Sequence, residues 1–82
     1  MIEYIALLRA VNVGGKNKVT MSILKQEMQT KGFQNVITYI NSGNILFDSE
    51  FSKEHNTDIL RSIIKDSFNL DIDVIIVSTK DL

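Results

Sequence analysis

The chain has 82 residues, of which 44% are hydrophobic and 23% charged, the proportions expected of one small folded domain. Nine basic and ten acidic residues give a net charge of -1, so the chain lacks the basic surplus of a non-specific nucleic-acid binder. It contains no cysteine and one histidine, which excludes disulfides, thiolate metal sites and histidine clusters.

The first predicted elements are a strand and a helix. Residues 2–9 (IEYIALLR) are apolar at nearly every position, which is typical of a strand buried on both faces or placed at the centre of a sheet. A glycine pair ends this run. Apolar residues then recur at helical spacing, with Thr20 as an N-cap and Gly32 just beyond the C-terminus. These signals predict a helix over residues 21–31.

A β-hairpin is predicted next. Residues 34–40 (QNVITYI) and 45–48 (ILFD) are rich in β-branched and aromatic side chains, and NSGN separates them. Gly43 supplies the positive φ that a tight hairpin turn needs. The two segments are therefore expected to pair as antiparallel neighbours.

A second amphipathic helix and a last strand complete the pattern. The helix carries apolar residues at helical spacing from Ile59 to Phe68, begins at Ser52 or Asn56, and ends at Asn69. Residues 71–78 (DIDVIIVS) predict the strand. The final TKDL resembles the start of a further helix, so we expect a truncated chain.

The order β-α-β-β-α-β predicts an α+β fold, the ferredoxin-like sandwich, with two helices on one face of a four-stranded antiparallel sheet. The expected strand order is 4-1-3-2, with strands one and three central. In this topology the glycine loop, the NSGN turn and the N-terminus of the first helix lie at one end of the sheet. His55 lies at the other end.

The glycine loop AVNVGGKN resembles a phosphate-binding P-loop incompletely. Gly15 and Lys16 match that pattern after a strand, but Ala10 replaces its first glycine and Asn17 replaces the hydroxyl that binds magnesium. We interpret the segment as a strand-to-helix connection that needs glycines.

A broader hypothesis is a site for an anionic, phosphate- or carboxylate-bearing small molecule at the shared end of the two loops. Arg9 and Lys16 neutralise its charge, the glycine amides donate hydrogen bonds, and the asparagines and Ser42 orient it. No cofactor or metal is expected. Asp66, Asp71 and Asp73 form a loose acidic cluster around the end of the second helix, but their spacing matches no calcium loop. The candidate ligand-binding residues are Arg9, Asn12, Gly14, Gly15, Lys16, Asn17, Ser42 and Asn44.

Other functions stay open. The domain is either an interaction module that oligomerises or packs on a missing C-terminal half, or an enzyme for nucleotides or phosphorylated substrates that depends on that half. Weak RNA binding would need Tyr4 and Phe47 on the open face of the sheet, and the neutral charge opposes it. No apolar run is long enough to span a membrane and no signal peptide is present, so a cytoplasmic location is expected.

Two sequence blocks closely resemble a bacterial family of uncharacterised proteins, domain of unknown function 1697. The blocks are LLRAVNVGGKN at residues 7–17 and TYINSGNILF at residues 38–47. The family usually has glycine where this chain has Ala10. Its members are much longer, so the resemblance implies that this chain is the N-terminal α+β part, followed by a second α/β portion. It implies no established activity.

Overall fold

The computed structural model of the chain describes residues 1–9, 18–39 and 43–82, and it contains the predicted elements in the predicted order. A short 3-10 helix, Thr79–Asp81, follows the last strand and starts at the N-cap Ser78. The main elements are β1 (Ile2–Leu8), α1 (Met21–Thr30), β2 (Gln34–Tyr39), β3 (Asn44–Ser49), α2 (Lys53–Phe68) and β4 (Val74–Ser78).

The four strands form one antiparallel sheet in the order β2-β3-β1-β4, which confirms the predicted arrangement with β1 and β3 at the centre. β4 begins at Val74 and not at Asp71 as predicted, because its pairing with β1 begins where Leu8 meets Val74. Asp71 lies outside the strand and forms an ion pair with Arg61 of α2. β2 contains an irregularity near Asn35, which has a φ of 52°.

The helix boundaries follow from local capping. Gly32 has a φ of 104°, and the amide of Phe33 donates to the Met28 carbonyl at 3.1 Å, which closes a Schellman motif after α1. Of the two predicted starts of α2, Ser52 is the N-cap, and its hydroxyl accepts from the His55 amide at 3.1 Å. Asn69 ends α2, as predicted, and its backbone has the left-handed conformation.

The hydrophobic core lies between the helices and one face of the sheet. Its centre is Phe47, whose ring lies 5.0 Å from Phe33 edge-on and 5.8 Å from the stacked ring of Tyr4. The sheet contributes a single alternating set of side chains, as expected for a face packed on helices. The buried core residues are Tyr4, Ala6, Leu8, Val19, Met21, Leu24, Met28, Phe33, Val36, Ile45, Phe47, Leu60, Ile63, Ile64, Ile72 and Ile76.

Two buried polar side chains join the end of β3 to α2. Ser49 donates from Oγ to Oδ1 of Asn56 at 2.7 Å and accepts from the Phe51 amide at 3.0 Å. Asn56 donates from Nδ2 to the Phe51 carbonyl at 3.4 Å, and that carbonyl also accepts from the Tyr4 hydroxyl at 3.3 Å. The network satisfies both buried side chains and fixes the connection that brings α2 back over the sheet.

Candidate functional site

The face of the sheet opposite the helices carries a row of four apolar side chains, one from each strand. Ile37 of β2 lies opposite Leu46 of β3, Leu46 lies opposite Ile5 of β1, and Ile5 lies opposite Val77 of β4. These residues alternate with the buried set, so their side chains point away from both helices. The row crosses the whole width of the sheet.

A second row runs beside the first, two residues along each strand. Tyr39 lies opposite Asn44, Asn44 opposite Leu7, and Leu7 opposite Ile75. The exposed fraction is 38% for Leu7, 43% for Ile75 and 49% for Tyr39, and Ile37 of the first row is 47% exposed. We call the apolar residues of the two rows the apolar band: Ile5, Leu7, Ile37, Tyr39, Leu46, Ile75 and Val77.

An acidic row borders the apolar band at the end of the sheet where β1 begins. Glu3 and Asp48 lie opposite one another on the two central strands. Glu3 accepts from the Thr79 hydroxyl at 2.9 Å, and Asp48 accepts from Nδ2 of Asn35 at 2.7 Å. Within residues 1–9, 18–39 and 43–82, neither carboxylate has a cationic partner. The open face is therefore apolar in its middle and negatively charged along one border.

The predicted anion site falls largely outside the described residues. Arg9 is exposed directly after β1, and Asn44 is the half-buried first residue of β3. Six other candidates belong to the segments 10–17 and 40–42, for which the structure gives no description: Asn12, Gly14, Gly15, Lys16, Asn17 and Ser42.

The residues that flank these two segments do meet at one end of the sheet. The Leu8 amide donates to the Gly43 carbonyl at 2.9 Å, and the Arg9 amide donates to the Asp73 carbonyl at 3.1 Å. Gly43 has a φ of 64°, as predicted for the hairpin turn. Asn44, however, lies on the open face, whereas α1 packs on the other face. Asn44 and the N-terminus of α1 are thus on opposite sides of the sheet.

The two aromatic residues required for RNA stacking are buried on the helix side. Tyr4 is 5% exposed and Phe47 is fully buried, so neither presents a ring to solvent. Among the residues that the structure describes, the aromatic residue on the open face of the strands is Tyr39, on the edge strand β2. The side chains on which the RNA hypothesis depends are therefore not available for stacking on bases.

The acidic residues around the end of α2 are Asp66, Asp71 and Asp73. The described part of the chain contains no group of three or more histidine, aspartate or glutamate residues able to hold a metal ion. Asp71 accepts from the Arg61 guanidinium at 2.9 Å, and this hydrogen bond and the opposite charge raise the pKa of Arg61 above its ordinary value. Both side chains are exposed, so the pair is a surface interaction.

A shallow depression lies between the end of α1 and α2. It is lined by Lys31, Asp58, Ile59 and Ser62, and its volume of about 200 Å³ is below the range typical of small-molecule sites. Three of its four lining residues are polar, but the depression is small and open to solvent, so we assign it no function.

The apolar band is the feature whose residues sequence reasoning did not name. The sequence does contain a signal for an uncovered apolar face. In β1 and β4, both sets of alternating side chains include apolar residues, and only two helices can cover the sheet. Two helices on one face leave the second apolar set of each strand uncovered. Counting the apolar sets against the covering layers is enough to predict that one apolar set stays uncovered, and the structure shows that this set contains Ile5, Leu7 and Ile75.

The fold and this face define a small α+β domain of ferredoxin-like topology whose sheet is covered on one side by its own helices. The chain belongs to the family described as "Protein of unknown function (DUF1697)", whose pattern matches residues 1–82 and confirms the resemblance found in the sequence. No helix among the described residues has the length and apolar character needed to cross a membrane.

A solved structure is similar to this chain, that of conserved bacterial protein SP0830 from Streptococcus pneumoniae. The sequences are 39% identical and the TM-score is 0.84. The match covers 98% of this chain but 44% of the streptococcal chain, so this chain spans less than half of that relative. Comparison with functionally curated proteins gives no significant match.

Proposed function

We propose that this domain is an interaction module that binds another polypeptide surface through the apolar band. The observation that carries the proposal is the unbroken row Ile37, Leu46, Ile5 and Val77, flanked by a second row that is apolar at three of its four positions. Contiguous apolar surface on a folded domain is often a site where another molecule binds. Each square ångström that the partner removes from water contributes about 25 cal/mol.

The acidic row beside the apolar band makes binding at this surface more specific. Glu3 and Asp48 favour a partner that places a basic residue beside its apolar contact. A cytoplasmic location is part of the same proposal, because the chain has no cysteine that would depend on an oxidising compartment.

The test separates a binding role of the apolar band from a role in the stability of the domain itself. Ile37→Thr and Ile75→Thr keep a β-branched side chain but remove apolar surface. Each is expected to cost at most about 1 kcal/mol of unfolding free energy, because nearly half of either side chain is already in water. The double variant is expected to lose most of the binding of an apolar fluorescent dye.

The matched control is Ile23→Gln, which removes an isoleucine that is 45% exposed on α1, away from the apolar band. This control is expected to keep its dye binding. If the Ile37 and Ile75 variants unfold the domain as a core substitution does, the band belongs to the domain's own core and the proposal is wrong.

A second candidate function is binding of an anionic small molecule where the two loop segments begin and end. The 2.9 Å hydrogen bond from Leu8 to Gly43 favours it, because this bond holds together the strand ends that flank both segments. Arg9 and Asn44 lie beside that bond, and Lys16, Ser42 and the other candidates belong to the two segments. The proposed ligand carries phosphate or carboxylate, which arginine and lysine bind through charge-assisted hydrogen bonds.

The test of this candidate is a nuclear magnetic resonance titration of the labelled chain with inorganic phosphate, nucleotides and small carboxylates in turn. Saturable amide shifts at residues 9–18 and 42–44, reduced in Lys16→Ala and Asn44→Ala, are expected. Lys53→Ala is the control, because Lys53 begins α2 at the opposite end of the sheet. Equal shifts in all three variants would show that Lys16 and Asn44 do not bind the ligand and that the proposed site is wrong.

A further inference from the structure

We propose that the occupant of the apolar band is a further folded portion of the same polypeptide, placed over the open face of the sheet. This inference rests on the proposed interaction role and adds the identity of the partner. The solved streptococcal relative contains the same fold at a TM-score of 0.84, and more than half of that chain lies outside the match. A polypeptide of that length is sufficient for a second folded unit.

The size of the apolar band favours a tethered partner over a free one. The band spans three strand spacings of about 4.8 Å and one two-residue step of about 7 Å, so with side chains it covers roughly 300 Å². A stable complex between separate proteins buries about 800 Å² on each partner. Two free copies of this chain that met through the apolar band alone would therefore associate weakly.

A covalent link between the two portions compensates for the small area of the apolar band. A partner joined by a short linker is present at an effective concentration in the millimolar range, so a small apolar contact is enough to keep it in place. The proposed portion presents an apolar layer to Ile5, Leu46 and Val77. It places a basic side chain over Glu3 and Asp48, since neither has a cationic partner among the residues that the structure describes.

The absence of cysteine from the chain allows a direct test by thiol labelling. Ile75→Cys and Ile37→Cys each place a thiol in the apolar band, and Ile23→Cys places one at similar exposure on α1 as the control. Each variant is made in the 82-residue chain and in a chimera. The chimera joins residue 82 to the part of the streptococcal protein outside the match, with any cysteines of that part changed to serine.

In the 82-residue chain, we expect the two thiols of the apolar band to react at the same rate as the control thiol. We also expect this chain to be monomeric by light scattering. In the chimera they are expected to react at least tenfold more slowly than Ile23→Cys. Circular dichroism establishes that each protein is folded. If the short chain does not fold alone, the comparison between Ile75→Cys and Ile23→Cys within the chimera still decides the question.

Two other results would each overturn the proposal in a distinguishable way. Slow labelling in the short chain that slows further with protein concentration, together with a dimeric mass, would make a second copy the occupant and leave the interaction role intact. Rapid labelling in a folded chimera, with dye binding unchanged by Ile37→Thr and Ile75→Thr, would contradict both the tethered partner and the proposed interaction role.

Discussion

The two faces of the sheet are formed by the same four strands but have different surroundings. Phe47 and Ile45 of β3 are fully buried under the helices, whereas Leu46 between them lies on the open face and keeps contact with water. Both faces carry apolar side chains. Apolar character alone therefore does not indicate which residues stabilise this domain and which are left for a partner.

The polar groups are distributed unequally between the two faces. On the helix side, Ser49 and Asn56 are buried and hydrogen-bonded to each other. On the open side, Glu3 and Asp48 keep their charges at the surface next to apolar neighbours. A satisfied buried pair fixes a unique packing, while an exposed acidic border beside apolar surface is suited to recognition.

The sharpest test of this difference uses two adjacent isoleucines of β4. Ile76 is 2% exposed and faces the helices, while Ile75 is 43% exposed and faces away. Ile76→Ala is expected to lower the free energy of unfolding by about 2–5 kcal/mol, because it leaves a cavity in the core. Ile75→Ala is expected to cost about 1 kcal/mol or less. Urea denaturation of both variants measures the difference, and equal losses would mean that both faces are core.

The next largest effect is expected from the buried polar pair. Ser49→Ala leaves Oδ1 of Asn56 without its donor and is expected to cost about 1–3 kcal/mol. The double variant Ser49→Ala with Asn56→Leu is expected to cost less than the sum of the two single variants, because no buried amide is then left without partners. The Phe51 carbonyl keeps the Tyr4 hydroxyl as a donor in that variant. Strictly additive losses would show that the two side chains act independently.

The helices that cover the buried face are expected to differ in their dependence on capping. The Ser52 hydroxyl accepts from the His55 amide, whereas the Thr20 side chain makes no capping hydrogen bond at α1. Ser52→Ala is therefore expected to cost about 1 kcal/mol, and Thr20→Ala less than half of that. Thermal unfolding of the two variants gives the comparison. A larger loss at Thr20 would contradict the observed cap geometry.

The sequence predicts the elements and their order because these follow from local signals, and it predicts the strand arrangement because the order β-α-β-β-α-β is that of the ferredoxin-like sandwich. Gly32 and Asn69 mark helix ends, Gly43 marks the hairpin, and Ser52 is one of the two predicted starts of α2. The predicted start of β4 is three residues early. Ile72 continues the apolar alternation of that strand, but it packs into the core before pairing with β1 begins at Val74.

The sequence does not predict which face of each strand the helices cover. Tyr4 and Phe47 belong to one alternating set and Ile5 and Leu46 to the other, and both sets contain apolar residues. Side-chain alternation has a period of two in either case, so it does not distinguish the faces. The choice depends on three-dimensional packing, in which the rings of Tyr4 and Phe33 enclose Phe47. The candidate anion residues stay a prediction, since six of them lie outside the described residues.

The smallest expected effect concerns the ion pair between α2 and the segment before β4. Arg61 and Asp71 are 48% and 79% exposed, so water already solvates both charges and the pair belongs to neither face of the sheet. Arg61→Gln is expected to leave the thermal unfolding midpoint unchanged at low and at high salt, with Asp71→Asn as the matched variant. A loss as large as that of Ser52→Ala, present at low salt and removed by high salt, would mean that charge at this surface stabilises the domain. The contrast between the two faces would then account for only part of its stability.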